Sequence, residues 1–419
     1  MFTIQKEHLM VFMTVQSIIT VTSLLHTSKN SWYRSLNILC IALLSFTAYT
    51  NSSIKQEING SALPYQILGA ISSTAVLQTV NLLLIAKIDS ADLDRIRQLQ
   101  ERPVSRTMLA IQLVLDARII GTPWQPPKIP CFPPALGSSR PSRLRFLVVY
   151  SAVFAWKYLL LDFVIAQFGT PLPTAVYHYR PELHFLSLDA ANMEWTHRLL
   201  ASLVMWSMLH HFIDLIFLVL GLINVGLGLI EADRSPPLFG RIQDAYTIRK
   251  FWNTYWHQML RWPITAWSRF ITRDVLRLPS PSLVERYLNI GLAFFLSGVV
   301  HEFATATIGM PYSEAGSLTF FSLFVVGIMI EDGVQAVYSW MSNGGPPQPT
   351  PLWIKIIGYI WVILWFTLTT PGFTYDLIHT FANSPKLLPH RVTESLGTAT
   401  AGSLLLVGGL ALRATRCIE

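Results

Sequence analysis

Nine stretches of mostly apolar residues follow one another along the chain, separated by polar segments. A helix needs about 20 such residues to cross the hydrocarbon core of a bilayer. The pattern therefore predicts an all-α, polytopic membrane protein with eight or nine transmembrane helices. The stretches cover residues 9–25, 36–49, 64–86, 146–168, 198–230, 287–306, 318–340, 352–371 and 398–413.

Two of these stretches leave alternatives open. Residues 198–230 would form a helix of about 50 Å, which is either one tilted helix with an extramembrane turn or a pair of helices with a bend near 221–228. The first stretch has no small-residue cleavage site after it, and we interpret it as a retained membrane anchor rather than a signal peptide.

The composition agrees with a membrane protein. Hydrophobic residues make up 52% of the 419 residues and charged residues only 13%, about half the usual charged fraction of a soluble protein. The mean hydropathy is +0.42. These values exclude soluble nucleotide-binding enzymes and nucleic-acid-binding proteins. The three cysteines are far apart, so they predict neither a disulfide framework nor a thiolate metal site, and no metal is expected.

The net charge of +7 is concentrated in two connecting segments. Residues 95–145 and 234–286 each hold nine of the 31 lysines and arginines. Because basic loops stay on the cytosolic side of a membrane, we predict that residues 89–145 and 231–286 face the cytosol. Residues 50–63 then face the opposite side. Possible glycosylation sites at Asn51 and Asn59 lie there and favour an endoplasmic reticulum protein.

The segment from Arg249 to Trp262 carries an unusual mixture of aromatic and polar side chains. Read as a continuous helix, it has two opposite faces. The spacing predicts an interfacial amphipathic helix with its apolar face toward the lipid. The apolar stripe is Ile248, Trp252, Tyr255, Met259 and Trp262, and the polar stripe is Arg249, Asn253, His257 and Arg261.

A second candidate lies inside the sixth apolar stretch. His301 follows Ser297 by one helical turn and is the fifteenth residue of the stretch 287–306, which puts it about 6 Å past the bilayer midpoint. A titratable side chain at that depth is costly and indicates a functional site. A histidine that only bonds to a neighbouring helix is the structural alternative.

The two features together resemble the membrane-bound O-acyltransferase family, and in particular its wax-synthase-like branch, which includes fungal acetyltransferases of terpenoid and meroterpenoid pathways. The motif Phe-Trp-x-x-x-Trp-His is matched at 251–257 and the intramembrane histidine at His301. Three further phrases are similar: Pro237-Leu-Phe-Gly240 with Asp244-Ala-Tyr246, Arg118-Ile-Ile-Gly-Thr-Pro-Trp124, and Glu331-Asp332. The resemblance covers about residues 115–375.

This chain departs from the family pattern at two of these positions. Plant-like members have asparagine where His257 stands, so the role of that position can differ. The arginine phrase usually continues with glycine, whereas this chain has Ile119.

The resemblance implies a membrane-bound O-acyltransferase fold and transfer of an acyl group from coenzyme A to a hydroxyl. Residues 1–88 would be N-terminal transmembrane helices, 89–145 a basic cytosolic loop, and 146–419 the acyltransferase core with the cytosolic motif loop 231–286. Acetyl-CoA would be a co-substrate, with no cofactor bound permanently. The acceptor would be a lipophilic terpenoid or meroterpenoid alcohol.

The same resemblance gives roles to individual residues. His301 would be the general base, and His257 would stabilise the oxyanion of the thioester carbonyl. Substrate and coenzyme A would be bound by the remaining candidates, which are Trp252, Asn253, Trp256, Arg249, Lys250, Arg261, Ser297 and Glu331. For Glu331, a structural bond to a hydroxyl or to a histidine such as His210 is an equally open interpretation.

Three other functions are alternatives to this one. A long-chain wax-ester synthase of the same family fits the same motifs. A transporter would use intramembrane titratable residues such as His210 and Glu331, but the sequence has no inverted repeat. A membrane di-iron oxidase needs clustered histidine motifs, and His210-His211 is the only adjacent pair among the 11 histidines.

Overall fold

A computed structural model describes residues 6–50, 63–100, 104–137, 140–168, 195–310, 316–341, 350–374 and 388–418. This part of the chain is helical and contains no β-strand. The candidate glycosylation sites Asn51 and Asn59 lie outside the described residues.

All nine apolar stretches form helices, as predicted. Six of the helices in the described ranges are long and apolar enough to cross a membrane, so the count of eight or nine spans remains a prediction. The helices are α1 (Lys6–His26), α2 (Trp32–Thr50), α3 (Leu63–Val80), α4 (Ser90–Gln98), α5 (Arg106–Leu115), α6 (Arg143–Phe168), α7 (Trp195–Gly226), α8 (Arg261–Arg269), α9 (Leu283–Ala306), α10 (Ser317–Met341), α11 (Leu352–Thr369), α12 (Val392–Leu396) and α13 (Thr398–Ala414).

The structure resolves the alternatives for residues 198–230 in favour of one helix. Helix α7 runs for 32 residues without a break. It ends just before Gly228, whose φ of +72° is the left-handed conformation that glycine adopts at helix ends. A bent pair of helices is therefore wrong for this stretch.

The chain forms two compact units. The first contains residues 1–126 and 259–326, and the second contains residues 127–258 and 327–419. Each unit combines segments that are distant in the sequence.

The first unit is organised around a buried core to which α1, α4, α5 and the turn after α3 contribute. Helix α3 continues into a wider turn over Asn81–Ile85, where the backbone bonds span five residues instead of four. There the amide of Asn81 donates to the carbonyl of Pro263 (2.9 Å), which ties α8 to α3. Core members include Leu24, Leu82, Leu83, Ile88, Leu93, Leu109 and Trp262.

The arginine phrase of the sequence is a tight turn in this unit. The Asp116 carboxylate accepts from the backbone N–H groups of Arg118 and Ile120, both at 2.9 Å. Ile119 between them has a φ of +43°, a conformation that is costly for a β-branched residue and natural for glycine. The positive φ at this position thus explains why the family pattern has glycine there. Burial of the Ile119 side chain, which is 1% exposed, offsets part of this strain.

The second unit is built on the packing of α6 against α7. Apolar side chains such as Phe146 and Tyr150 fill the space between them. Buried polar groups of α6 are paired: the Asp162 carboxylate accepts from Arg391 and from the backbone N–H of Thr393 at the start of α12. Charges inside this unit are therefore matched by partners, as burial requires.

The predicted orientation can be tested with a native cysteine. Cys131 is exposed and lies in the basic stretch 89–145. In sealed microsomes, a variant with Cys40→Ser and Cys417→Ser is expected to react at Cys131 with an impermeant maleimide added from the cytosolic side, because basic loops remain there. The matched control adds Cys131→Ser and should not be labelled. Labelling only from the lumen would reverse the predicted topology.

Candidate active site

His301 lies on α9 and is held by its own helix. Its Nδ1 is 2.7 Å from the backbone carbonyl oxygen of Ser297, one turn earlier. A carbonyl can only accept, so Nδ1 carries the proton of this hydrogen bond, and in the neutral ring Nε2 has the lone pair. Ser297 therefore contributes its carbonyl to this bond. The bond presents the imidazole in the tautomer that can take up a proton at Nε2.

The neighbours of His301 fix where this part of α9 lies. The Glu302 carboxylate accepts from the backbone N–H of Leu318 (3.0 Å), in the first turn of α10. A side chain at Gly298 would be 2.9 Å from the Leu318 Cα, so glycine is needed for this close approach. The ring of Phe321 stacks near the imidazole at 4.5 Å between centroids. Gly298, His301 and Glu302 of α9 are thus packed on the start of α10.

The start of α9 differs from the sequence prediction. The helix begins at Leu283 rather than 287 because Ser282 caps it by accepting from the Glu285 backbone N–H (3.1 Å). His301 therefore lies about 10 Å beyond the middle of the helix.

The continuous amphipathic helix predicted for 249–262 is wrong. Residues Ile248–Lys250 form one α-helical turn, Phe251–Tyr255 widen into a π-type turn, and Trp256 is extended with φ −65° and ψ 156°. The next helix, α8, starts only at Arg261. We refer to residues 248–257 as the motif segment. Helical periodicity did not reveal this break, which places His257 after the helix rather than on its polar stripe.

The break is stabilised by backbone contacts. The Trp256 N–H donates to the Phe251 carbonyl, and the Gly240 N–H donates to the Tyr255 carbonyl, both at 2.8 Å. A Cβ at position 240 would overlap the carbonyl oxygen of Thr254. The Pro-Leu-Phe-Gly phrase at 237–240 is therefore a packing element that only glycine can complete.

The aromatic side chains of the motif segment pack inside the second unit. Every residue from 248 to 258 is buried or half-buried, which contradicts a helix lying on the surface with its apolar face in lipid. Trp206 of α7 is at the centre of the cluster, and its indole N–H donates to Thr370 (2.8 Å). Ring centroids around Trp206 are those of Phe251 (6.2 Å), Trp252 (6.1 Å), Trp256 (4.8 Å) and Phe366 (4.8 Å).

His257 follows this cluster. Its ring is 5.5 Å from the Trp256 ring and 6.0 Å from Phe239, which it meets edge to face. Asn253 is half-buried in the wide turn. These contacts hold His257 at the end of a rigid aromatic framework.

His210 and Tyr255 form a polar contact next to the aromatic cluster. The Tyr255 hydroxyl is 3.2 Å from Nδ1 of His210, and the two rings are nearly parallel. Burial, with the negative charge of Asp214 adding to it, raises the pKa of Tyr255 to about 12, so the hydroxyl keeps its proton at neutral pH. Asp214 itself pairs with Lys157 of α6. His211 turns away from His210, its ring at 90°.

Glu331 has other partners than the sequence suggested. Its carboxylate accepts from the backbone N–H of Ile248, from that of Arg249 (3.2 Å) and from the indole of Trp361 (3.0 Å). The alternative of a bond to His210 is not what the structure shows: three N–H donors surround the carboxylate. The adjacent Asp332 accepts from the Arg249 guanidinium at 2.6 Å.

The other basic candidates have different surroundings. Lys250 donates to the hydroxyl of Tyr246 and lies over its ring, 3.8 Å from the centroid. Burial alone would raise the pKa of Tyr246, but the hydrogen bond and charge of Lys250, together with Lys355, hold it below its usual value. Arg261 belongs to the first unit, where burial lowers the pKa of its guanidinium.

The sequence of this chain matches a known protein family and several known proteins. The model of the family described as "Membrane bound O-acyl transferase family" matches residues 235–323, which include both the motif segment and His301. Acetyltransferase atnC of an Arthrinium species is 34% identical over 95% of this chain and 94% of its own length. Acetyltransferase TRI7 of Fusarium sporotrichioides is 35% identical over 86% of this chain and 85% of its own length. Acetyltransferase pyr8 of Aspergillus fumigatus is 33% identical over 94% of this chain and 92% of its own length.

The chain belongs to the membrane-bound O-acyltransferase family. This confirms the resemblance given by the sequence motifs and identifies the protein as an acyltransferase. No solved structure matches the chain. In the described residues of this acyltransferase, no group of three or more His, Cys, Asp and Glu side chains could hold a metal ion.

Sequence reasoning missed several residues that pack around the candidate site of this acyltransferase. Trp206 and Phe366 lie in apolar stretches, where an aromatic residue looks like any other core residue. One available signal was that Trp206 is in the middle of α7, whereas membrane tryptophans concentrate at the interfaces. Phe239 and Gly240 belonged to a recognised phrase, but their contacts with the motif segment are not visible in a linear pattern.

Gly240→Ala is expected to destabilise the acyltransferase by about 2–3 kcal/mol, near the upper end for overpacking. The added methyl group meets the Thr254 carbonyl, which the wide turn cannot move, so acyl transfer should fall as well. The measurements are the apparent Tm in detergent and the release of free thiol from the donor.

The matched control is Gly333→Ala on α10 of the same unit, where a Cβ would meet no atom within 4 Å. That substitution should be neutral or stabilise by up to about 1 kcal/mol because alanine is the better helix former. Equal effects of both alanines would contradict the packing role of Gly240.

Proposed function

We propose that this acyltransferase moves the acetyl group of acetyl-CoA to a hydroxyl of a hydrophobic secondary metabolite, a terpenoid or meroterpenoid alcohol. The observation that carries the proposal is the hydrogen bond from His301 Nδ1 to the Ser297 carbonyl, which leaves Nε2 as the proton acceptor. The three relatives named as acetyltransferases match over almost their whole length and support acetyl as the acyl group.

The reaction needs a base because a neutral alcohol is a weak nucleophile. In the proposed mechanism His301 Nε2 takes the hydroxyl proton while the alcohol oxygen attacks the thioester carbonyl carbon. The tetrahedral intermediate then collapses, the C–S bond breaks, and the imidazolium returns the proton to the leaving thiolate, giving the acetyl ester and free coenzyme A. General-base help of this kind contributes about 10²–10⁴-fold.

His257 is proposed to donate a hydrogen bond to the thioester carbonyl oxygen as negative charge develops on it. A single donor of this type contributes about 10²–10³-fold. The rigid rings of Trp256 and Phe239 beside His257 support this role, since an oxyanion donor has to be positioned before the reaction. Trp252, Asn253 and Trp256 are proposed to contact the substrates.

The basic residues Arg249, Lys250 and Arg261 are proposed to attract the phosphates of coenzyme A from the cytosolic side. Lys250 has the best support because it donates to the neutral Tyr246 hydroxyl, and Lys355 lies over the same Tyr246 ring at 5.6 Å, which adds positive charge nearby. Arg249 shares its charge with Asp332, so its contribution should be weaker.

The membrane supplies the acceptor in this proposal. An apolar polycyclic alcohol partitions into the bilayer, whereas coenzyme A arrives from water. We propose the endoplasmic reticulum as the location, with residues 89–145 and 231–286 in the cytosol. The six apolar helices of the described residues, long and apolar enough to cross a membrane, support membrane insertion, and the charge pattern of the loops supports the orientation.

His301→Ala is expected to lower the rate of acetyl transfer by at least about 10²-fold, because the base is lost. Folding and insertion should persist, since one half-buried imidazole is replaced by a smaller side chain. The measurement is thiol release from acetyl-CoA, with expression and Tm checked in detergent. His26→Ala, an exposed histidine at the end of α1 in the same unit, is the control and should keep full activity. More than a tenth of the wild-type rate in His301→Ala would be incompatible with a base at this position.

Acetyl-CoA should be strongly preferred over palmitoyl-CoA. One additional methylene in a closed pocket is discriminated by about 1–3 kcal/mol, so propionyl-CoA should react slowly and palmitoyl-CoA not at all. The experiment offers acetyl-CoA and palmitoyl-CoA at equal concentration with a panel of terpenoid and long-chain alcohols, and identifies the esters by mass spectrometry. Palmitoyl esters of long-chain alcohols as the main products would identify a wax-ester synthase instead.

A further inference from the structure

The carboxylate of Glu331 lies under the beginning of the motif segment. It is 6% exposed and comes from α10, 83 and 82 residues away from Ile248 and Arg249, whose backbone N–H groups donate to it. The indole N–H of Trp361 on α11 is the third donor, at 3.0 Å. One side chain thus joins three segments of the second unit.

The first N–H groups of a helix have no partner within the helix, and buried ones have to find a partner elsewhere. The hydroxyl of Thr247 accepts from the Lys250 N–H at 3.0 Å. Glu331 accepts from the N–H groups of Ile248 and Arg249, which lie between Thr247 and Lys250. The helical part of the motif segment spans only 248–255, so it has no second turn of regular α-helix that could hold it in place.

The packing around Glu331 leaves little room for the segment to shift. A Cβ at Gly327, one turn before Glu331, would be 2.6 Å from Cδ1 of Ile248 and 2.9 Å from the ring of Trp365. A Cβ at Gly358 on α11 would overlap the carbonyl oxygen of Tyr246. The backbone at 246–249 is therefore pressed against α10 and α11, and Glu331 supplies the hydrogen bonds at this contact.

We propose that Glu331 is a positioning residue, which fixes the motif segment through the N–H groups of Ile248 and Arg249 and so sets the place of Trp256 and His257. Glu331 does not need to touch a substrate in this role. The catalytic consequence rests on the proposed function, whereas the fixing of the segment does not. An error of about 1 Å in a catalytic group can cost about 10²-fold in rate, so loosening the segment should lower turnover.

The test is Glu331→Gln, which keeps the size of the side chain but replaces one acceptor oxygen with an NH₂ group. A buried N–H donor then faces another donor. Hydrogen–deuterium exchange of the purified full-length protein in detergent should become at least about tenfold faster in peptides covering 248–256, since losing a bond to a charged acceptor costs about 1.5–3 kcal/mol. The kcat for acetyl transfer should fall at least about tenfold, with the KM for acetyl-CoA changed less than about threefold.

The matched control is Asp162→Asn in the same unit. Asp162 is also a buried carboxylate that accepts from a backbone N–H at a helix start, but its partners are Thr393 and Arg391. This variant should accelerate hydrogen–deuterium exchange near residue 393. Exchange of residues 248–256 and the kcat per folded molecule should both stay unchanged. It separates a general loss of stability from a local effect on the motif segment.

The possible outcomes distinguish the two proposals. Unchanged exchange at 248–256 in Glu331→Gln would overturn the positioning role, whatever happens to activity. Faster exchange with an unchanged kcat would overturn its catalytic consequence. If the wild-type protein transfers no acetyl group to any alcohol, the proposed function fails, and the exchange experiment still decides whether Glu331 fixes the segment.

Discussion

The motif segment depends on one constraint: a buried backbone has to find partners for every N–H and C=O group that its helix does not satisfy. By widening at Phe251–Tyr255 and breaking at Trp256, the segment gives up the regular bonding of an α-helix. Its unpaired backbone groups bond to residues outside the segment. Glu331 accepts from backbone N–H groups at the beginning, and the Gly240 N–H donates to a carbonyl at the break. The packing of α10, α11 and the 237–240 turn follows from this requirement.

His301 is held in the opposite way. Its orienting partner is the carbonyl of Ser297 in the same helix, so the tautomer is determined by local geometry that any intact α9 provides. His257 follows the extended residue Trp256, and the rings of Trp256 and Phe239 lie against its imidazole. These ring contacts of His257 depend on packing within the second unit, whereas the Nδ1 hydrogen bond of His301 depends on the geometry of its own helix.

This difference also explains what the sequence could predict. Every apolar stretch became a helix, because in lipid a helix is the only isolated segment that satisfies its own backbone, and hydropathy detects such segments directly. His301 was found because a titratable residue stands out in an apolar helix. The shape of 248–262 was not found, since helical periodicity describes an unbroken helix and contains no information on contacts with Gly240, Trp206 or Glu331. The lipid-facing stripe was wrong for this reason, and for the same reason the sequence left the partners of Glu331 open.

Ile119 illustrates how a departure from a family pattern can be absorbed. The turn closed by Asp116 requires a positive φ at this position, where glycine carries no strain. A β-branched residue there costs of order 1–3 kcal/mol, while full burial of its side chain returns about 1.5–3 kcal/mol. The two terms are of similar size, so the turn is retained with isoleucine. At Gly240 burial of a side chain cannot offset the strain, because any side chain would meet a backbone carbonyl instead of an apolar core. The phrases shared with the family thus differ in how far they tolerate substitution, according to what surrounds the missing Cβ.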